Sequence, residues 1–202
     1  MSTTLASIAD HLDSIAVVGA GLFAGTALYI TVGETPALQD FGLDEHWSFF
    51  PYMYKRAAVS QSIFGVTAGV AAIAHGTRIN GSSFDRNLWI IAGTTFVAII
   101  PYTVFIMFPT NNTIINDNKE AKLGKESQIS VTQRKEILQK WAGLHLGRTI
   151  GSVASFSAMV FGLSRHSSLL LGCIISSKKI YNNFRADAEM SIALALNLVY
   201  LL

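Results

Sequence analysis

The chain has 202 residues, half of them hydrophobic and 14% charged, with a formal net charge of +2. A typical soluble domain carries roughly 25% charged residues, so this composition excludes a disordered chain, a charged coiled coil and a nucleic-acid binder, and leaves a soluble enzyme short of polar surface. The single cysteine, Cys173, excludes an intrachain disulfide and a cysteine-based zinc site.

Gaps in the charge pattern organise the chain. Residues 15–33 (IAVVGAGLFAGTALYITVG), 57–74 (AAVSQSIFGVTAGVAAIA), 88–108 (LWIIAGTTFVAIIPYTVFIMF) and 149–164 (TIGSVASFSAMVFGLS) contain no Asp, Glu, Lys or Arg. A bilayer core needs about 20 predominantly apolar residues in a helix. The first three stretches have that length, and a lead-in from Trp141 extends the fourth. The expected architecture is therefore all-α: a four-helix transmembrane bundle with helices at about 15–33, 57–74, 88–108 and 141–164. Together they form one membrane domain over 1–164, and 165–202 is a C-terminal tail with no stretch long enough to span. Core helices of a soluble bundle would carry a charged stripe at a period of 3.6, and none of the four does. A cleaved signal peptide would begin with Lys or Arg. Residues 1–14 hold Asp10 and Asp13 instead, so the first segment is expected to remain as a helix.

Helix one carries Gly19, Gly21 and Gly25, helix two Gly65 and Gly69, helix four Gly151 and Ser155. Small residues four apart let helices approach closely in lipid, where packing drives association. Between helices one and two, residues 34–56 hold Phe41, Trp47, Phe49, Phe50, Tyr52 and Tyr54. This pattern suits a segment lying along the membrane surface. Residues 75–87 form a short turn around Asn80, Gly81, Ser82 and Ser83. Pro101 removes a backbone hydrogen bond from helix three and predicts a kink. In the third connection, NNTIINDNKEAKLGKES reads as irregular, and VTQRKEILQKWAGLHLGR reads as an amphipathic helix leading into helix four. Connections one and three share a side and carry nine Lys and Arg, against six on the other side. The positive-inside rule then places them in the cytoplasm.

The most chemical stretch is Trp141, His145 and Arg148, spaced four and three apart so that they share one helical face. An imidazole is matched to proton transfer near neutrality, and a fixed cation beside it can hold an oxyanion. The same three residues also suit an interfacial Trp anchor with an Arg snorkelling to headgroups. A second cluster, Tyr102, Thr103, Pro109, Thr110 and Asn111, follows the Pro101 kink. A third, Trp47, Tyr54, Lys55 and Arg56, precedes helix two. No HExxH, P-loop, GxSxG or full GxGxxG is present.

The order of these features is a Gly-rich first helix, Trp47 with an aromatic and basic run, P-Y-T-x5-P-T-N at 101–111, and W-x3-H-x2-R at 141–148. It resembles the anthrone oxygenase family of small four-helix membrane proteins, over roughly 15–163. The tail after Ser164 does not look like the family's usual ending. The resemblance implies an enzyme, a monooxygenase that oxidises an anthrone-type aromatic polyketide to an anthraquinone with O2 as co-substrate and no metal or flavin. In that reading His145 is the base and Arg148, with Arg56, holds the oxyanion. Trp47 and Trp141 are stacking walls, and Tyr102 and Asn111 bond the substrate's phenols. The partners implied are membrane lipid and a hydrophobic aromatic small molecule, with no nucleic acid and with a homo-oligomer open. The competing reading is a non-catalytic scaffold or small-molecule binding protein. It shares the helices and glycine contacts, and a packed interior without a cavity would favour it. A channel would place ionisable groups at the midplane, where these stretches carry none.

Overall fold

A computed structural model describes residues 9–80 and 82–200, with side chains through Arg165. Among the described residues there is no strand. Four long helices follow one another: α1 (Leu12–Phe41), α2 (Leu43–Arg78), α3 (Ser83–Lys122) and α4 (Val131–Tyr200). Each is long and apolar enough to cross a membrane, α4 over Val131–Arg165. The chain is a multi-pass membrane protein. It divides into two compact units after Gly162. The first holds the bundle. In the second, 163–200 are helical in backbone, where the sequence suggested no defined structure. The sequence leaves open that this tail associates with the membrane surface, a reading that lies outside the described side chains.

The helices run well past the charge-free stretches, and two expected connections are not loops. Residues 34–56 are helical apart from Gly42, a one-residue joint between α1 and α2 with φ 154° and ψ 153°. That conformation is open in practice only to glycine. Residues 108–122, expected to be irregular, are the last four turns of α3. This helix stops where Gly124 takes a left-handed conformation (φ 76°) and donates to Ala121 O at 3.0 Å. The expected lead-in to the fourth span is present, helical from Val131. At the opposite end, Ser82 caps α3 by accepting from Asp85 N at 3.2 Å.

Helices of 30–40 residues exceed the ~20 residues that a hydrocarbon core accommodates. The excess lies on one side, that of Gly42 and Gly124, and builds a helical cap there. In the cap water is the solvent, and burial of apolar surface stabilises. Trp47, Phe50, Ile114, Leu138 and Trp141 form its core with Ile30 and Met107, each side chain contributing roughly 1.5–3 kcal/mol. Phe50 meets Trp141 edge to face, with centroids 5.2 Å apart. Asp117 ties the cap together: it accepts from Trp47 Nε1 at 2.9 Å and from Ser127 Oγ, and Arg134 lies 3.6 Å away.

The prolines explain the local departures from α geometry. Pro51, inside α2, cannot donate to Trp47 O, and Asn118 Nδ2 donates to that carbonyl instead at 3.0 Å. Two turns widen into π-helix, at Ile30–Glu34 and Thr103–Met107. Each ends two residues before a proline, Pro36 and Pro109. A proline ring crowds the carbonyl four residues back, here that of Val32 or Phe105, and a π turn shifts that carbonyl aside. Pro101, where a kink was expected, lies within the α-helical stretch Ser83–Tyr102.

Below the cap, lipid removes the hydrophobic drive and close packing replaces it. At Gly93 an added Cβ would stand 2.8 Å from Gly69 O and 2.9 Å from Ile73 Cγ1, so α2 and α3 touch backbone to backbone there. Gly19 brings α1 equally close to α2, 3.2 Å from Phe64 O by the same measure. The expected pairing of Gly21 with Gly25 is not a contact, because Gly25 has nothing within 4 Å of an added Cβ. Gly93→Ala is therefore expected to lower stability by about 1–3 kcal/mol, read as an earlier thermal midpoint in detergent. Gly25→Ala should leave the midpoint unchanged, and equal midpoints for the two variants would contradict this packing.

Candidate active site

α2 and α3 are in contact at Gly69 and Gly93 and separate toward the cap. Between them, closed by α1 and α4 behind, lies a cavity of about 190 Å³. Ile30, Met107 and Trp141 belong both to its wall and to the cap core. Phe23 and Phe96, edge to face at 5.5 Å, belong to its wall on the lipid side. Exposed Ser62 of α2 and exposed Ile100 and Val104 of α3 form its outer rim, so the cavity opens sideways between these helices. Gln61 lies five residues past Arg56, about 7 Å along the helix. Gln61 therefore sits just inside the charge-free stretch of α2, while Asn111, His145 and Arg148 flank those of α3 and α4.

Four of those side chains share one property. Gln61 Nε2, Asn111 Oδ1, His145 Nε2 and Arg148 Nε are buried without a hydrogen-bond partner, and all four residues line the cavity. Buried polar atoms are normally satisfied, so their convergence marks a place shaped for a polar group of something else. Arg148 Nη2 donates to Gln61 Oε1 at 2.7 Å, and its guanidinium lies 5.6 Å from the Phe23 ring centroid. Among the described residues no carboxylate lies within 4.0 Å of it.

His145 is held from behind and beside. Its Nδ1 lies 3.1 Å from Thr31 Oγ1 and 3.3 Å from Thr149 Oγ1. Its ring leans on Trp141, with centroids 4.9 Å apart and planes tilted by 36°. Thr31 reaches the imidazole from within the first π segment.

Of the seven residues singled out from the sequence, Asn111, Trp141, His145 and Arg148 line the cavity. The other three stand elsewhere. Trp47 is buried in the cap with its indole N–H committed to Asp117. Tyr102 donates to Leu144 O at 3.0 Å and fastens α3 to α4. Arg56 is exposed on the outer face of α2. Gln61, Thr31 and Thr149 were not among the seven. Each lies in an apolar run where a single polar residue gives no periodic signal, although Gln61 is the most polar residue of its stretch. Among the described residues no three His, Cys, Asp or Glu side chains gather where an ion could be held.

The cavity brings aromatic rings, an imidazole and a guanidinium with no carboxylate beside it together inside a membrane protein of four long apolar helices. A model of the anthrone oxygenase family matches residues 50–158, and the chain belongs to that family. It is similar to anthrone oxygenase AgnL2 of Paecilomyces divaricatus, 27% identical over 153 residues that cover 74% of this chain and 90% of the relative. It is also similar to anthrone oxygenase nsrD of Aspergillus novofumigatus, 29% identical over 76 residues, 36% of this chain and 44% of that protein. No solved structure matches it.

An unpaired buried cation contributes nothing to stability that an apolar group of similar size would not. Arg148→Met is therefore expected to unfold no earlier than the parent in detergent, with a gain of up to ~4 kcal/mol. A clearly earlier midpoint would show that Arg148 holds the bundle together and is not reserved for a ligand.

Proposed function

We propose that this protein oxidises an anthrone-type aromatic polyketide to the anthraquinone with O2, in the cavity between α2 and α3. The convergence of four unpartnered polar atoms on an otherwise apolar chamber carries this reading, and the family relationship supports it. The methylene of an anthrone is acidic because its loss of a proton yields an aromatic oxyanion. His145 Nε2 faces the cavity and takes that proton. Arg148 and the Gln61 amide stand where the negative charge grows on the substrate oxygen. Trp141 and Phe96 offer faces to a flat ring system, and Asn111 Oδ1 accepts from a phenol.

The anion then passes one electron to O2. The carbon radical and superoxide combine to a peroxide at the former methylene carbon. Loss of the second proton from that carbon cleaves the O–O bond, giving the new carbonyl and water. Electrons come from the substrate and both oxygen atoms are accounted for, so the reading asks no metal or flavin of the chain. Substrate and O2 both dissolve in lipid, in keeping with a chamber that opens between α2 and α3.

We assign the tautomer of His145 from its hydroxyl neighbours, which also stand 2.9 Å from each other. Thr31 Oγ1 donates to Ala27 O at 2.9 Å and Thr149 Oγ1 to His145 O at 3.0 Å. With both hydroxyl protons so placed, Nδ1 carries the ring proton and donates it to Thr31, leaving a bare lone pair on Nε2 toward the cavity.

With intact membranes, anthrone as substrate and spontaneous air oxidation subtracted, His145→Ala is expected to lower O2 uptake by roughly 10²–10⁴-fold. Arg148→Met is expected to lower it by roughly 10²–10³-fold. Unchanged uptake in both variants overturns the assignment. A parent that binds anthrone without consuming O2 is a binding protein instead. Thr31→Val should lower the rate while Thr31→Ser restores it, and equal rates for the two would show that the hydroxyl does not set the tautomer.

A further inference from the structure

A second concavity lies on the outer face of α2, away from the cavity mouth. Its walls include Lys55 and Arg56 of α2 and Lys122 of α3, with Tyr52 between them, and Val59, Ile63 and Phe64 continue it along α2. The groove is roomy, about 1050 Å³. Tyr52 gathers two of the cations: Lys122 Nζ stands 4.5 Å from its ring centroid, and Arg56 Nη1 donates to its carbonyl at 3.4 Å. Two other cations on this side are paired, Lys125 with Glu120 and Arg134 with Asp44 and Asp117, while among the described residues Lys119, Lys135 and Lys140 have no carboxylate within 4.0 Å. Among the described residues none of the three groove cations has a carboxylate within 4.0 Å.

The register along α2 is informative. Arg56 is the last charge before the 57–74 stretch, and the Lys122 ammonium reaches the same part of α2 over the Tyr52 ring. Val59 and Ile63, four apart on one face, are 62% and 58% exposed and stand at acyl level. We propose that this groove binds one anionic phospholipid, its phosphate among Lys55, Arg56 and Lys122 and one acyl chain along Val59, Ile63 and Phe64. A water-borne phosphate would use the cations and leave the apolar wall unused. The anionic cytoplasmic leaflet would present such a lipid to the side that the positive-inside rule places in the cytoplasm. Tyr54 lines both the groove and the catalytic cavity, so the bound lipid lies against the back of the site. The groove does not depend on the activity proposed above.

The full chain in detergent micelles, titrated with phosphatidylglycerol or phosphatidylcholine and read by native mass spectrometry, tests this. One phosphatidylglycerol is expected to be retained at least fivefold better than phosphatidylcholine. The K55Q/R56Q/K122Q variant should lose that preference, and K55R/K122R should keep it. Helix content by circular dichroism checks that the triple variant folds. If it does not fold, K122Q and R56Q singly are each expected to lower the preference at least twofold. Glycerol phosphate or inorganic phosphate in millimolar excess should not displace the lipid. Equal retention of the two lipids, a preference that survives the substitutions, or displacement by free phosphate each overturns the proposal.

Discussion

A guanidinium held among aromatic and aliphatic side chains, with no carboxylate to neutralise it, sets the terms for the rest of this molecule. Taking a charge out of water costs several kcal/mol even after local relaxation. Arg148 recovers part of that from the Gln61 amide and the face of Phe23. The remainder is left for whatever enters the cavity. The same holds on a smaller scale for the free faces of His145, Asn111 and Gln61. In the proposed reaction these groups would be preorganised, aimed in advance at the oxygen on which charge grows.

Two solvents make such a chamber possible. The bundle is held by glycines and alanines that let α1, α2 and α3 touch, while the cap is held by aromatic burial in water and by the Asp117 network. The candidate catalytic groups lie at the seam. Ile30, Met107 and Trp141 seal the chamber from the aqueous side, and the rim of Ser62, Ile100 and Val104 leaves it open to lipid. Prolines arrange the seam. Pro36 and Pro109 widen the preceding turns into π-helix, and those turns carry Thr31 to the imidazole and Thr103 and Met107 to the cavity wall. Wide turns of this kind recur at functional sites because they aim side chains that regular helices cannot.

The sequence made the membrane spans readable because absence of charge over 16 to 21 residues needs no periodicity to be noticed. It hid the cap for a physical reason. The buried stripe of residues 108–122 is Thr110, Asn111, Ile114, Asp117 and Asn118, helical in spacing but polar in kind. An apolar count passes over it. Residues 34–56 were expected to lie along the membrane surface for their aromatic residues; they are helical, with Trp47 and Phe50 in the cap core and Phe41, Phe49 and Tyr52 exposed. The candidate site was half readable. Residues within two turns of each other on α4, namely Trp141, His145 and Arg148, came through their spacing, and Asn111 through its motif. Partners on other helices did not. Gln61 and Thr31 reach the site only through the pairing of α1 and α2 with α4, which no local pattern encodes, and Trp47 and Tyr102 were diverted to holding helices together.

Equilibrium binding of a stable hydroxyanthraquinone to the detergent-solubilised chain, with parent and Gln61→Leu compared by isothermal titration, probes the chamber without any turnover. Hydrogen bonds to charged groups are worth about 1.5–3 kcal/mol, and removing Gln61 takes away both an amide donor and the group that aims Arg148. The parent should bind one equivalent, and Gln61→Leu should bind at least about tenfold more weakly. Identical affinities, or a parent with no saturable binding, would mean that the polar atoms gathered between α2 and α3 are not there for an oxygen-bearing aromatic ligand.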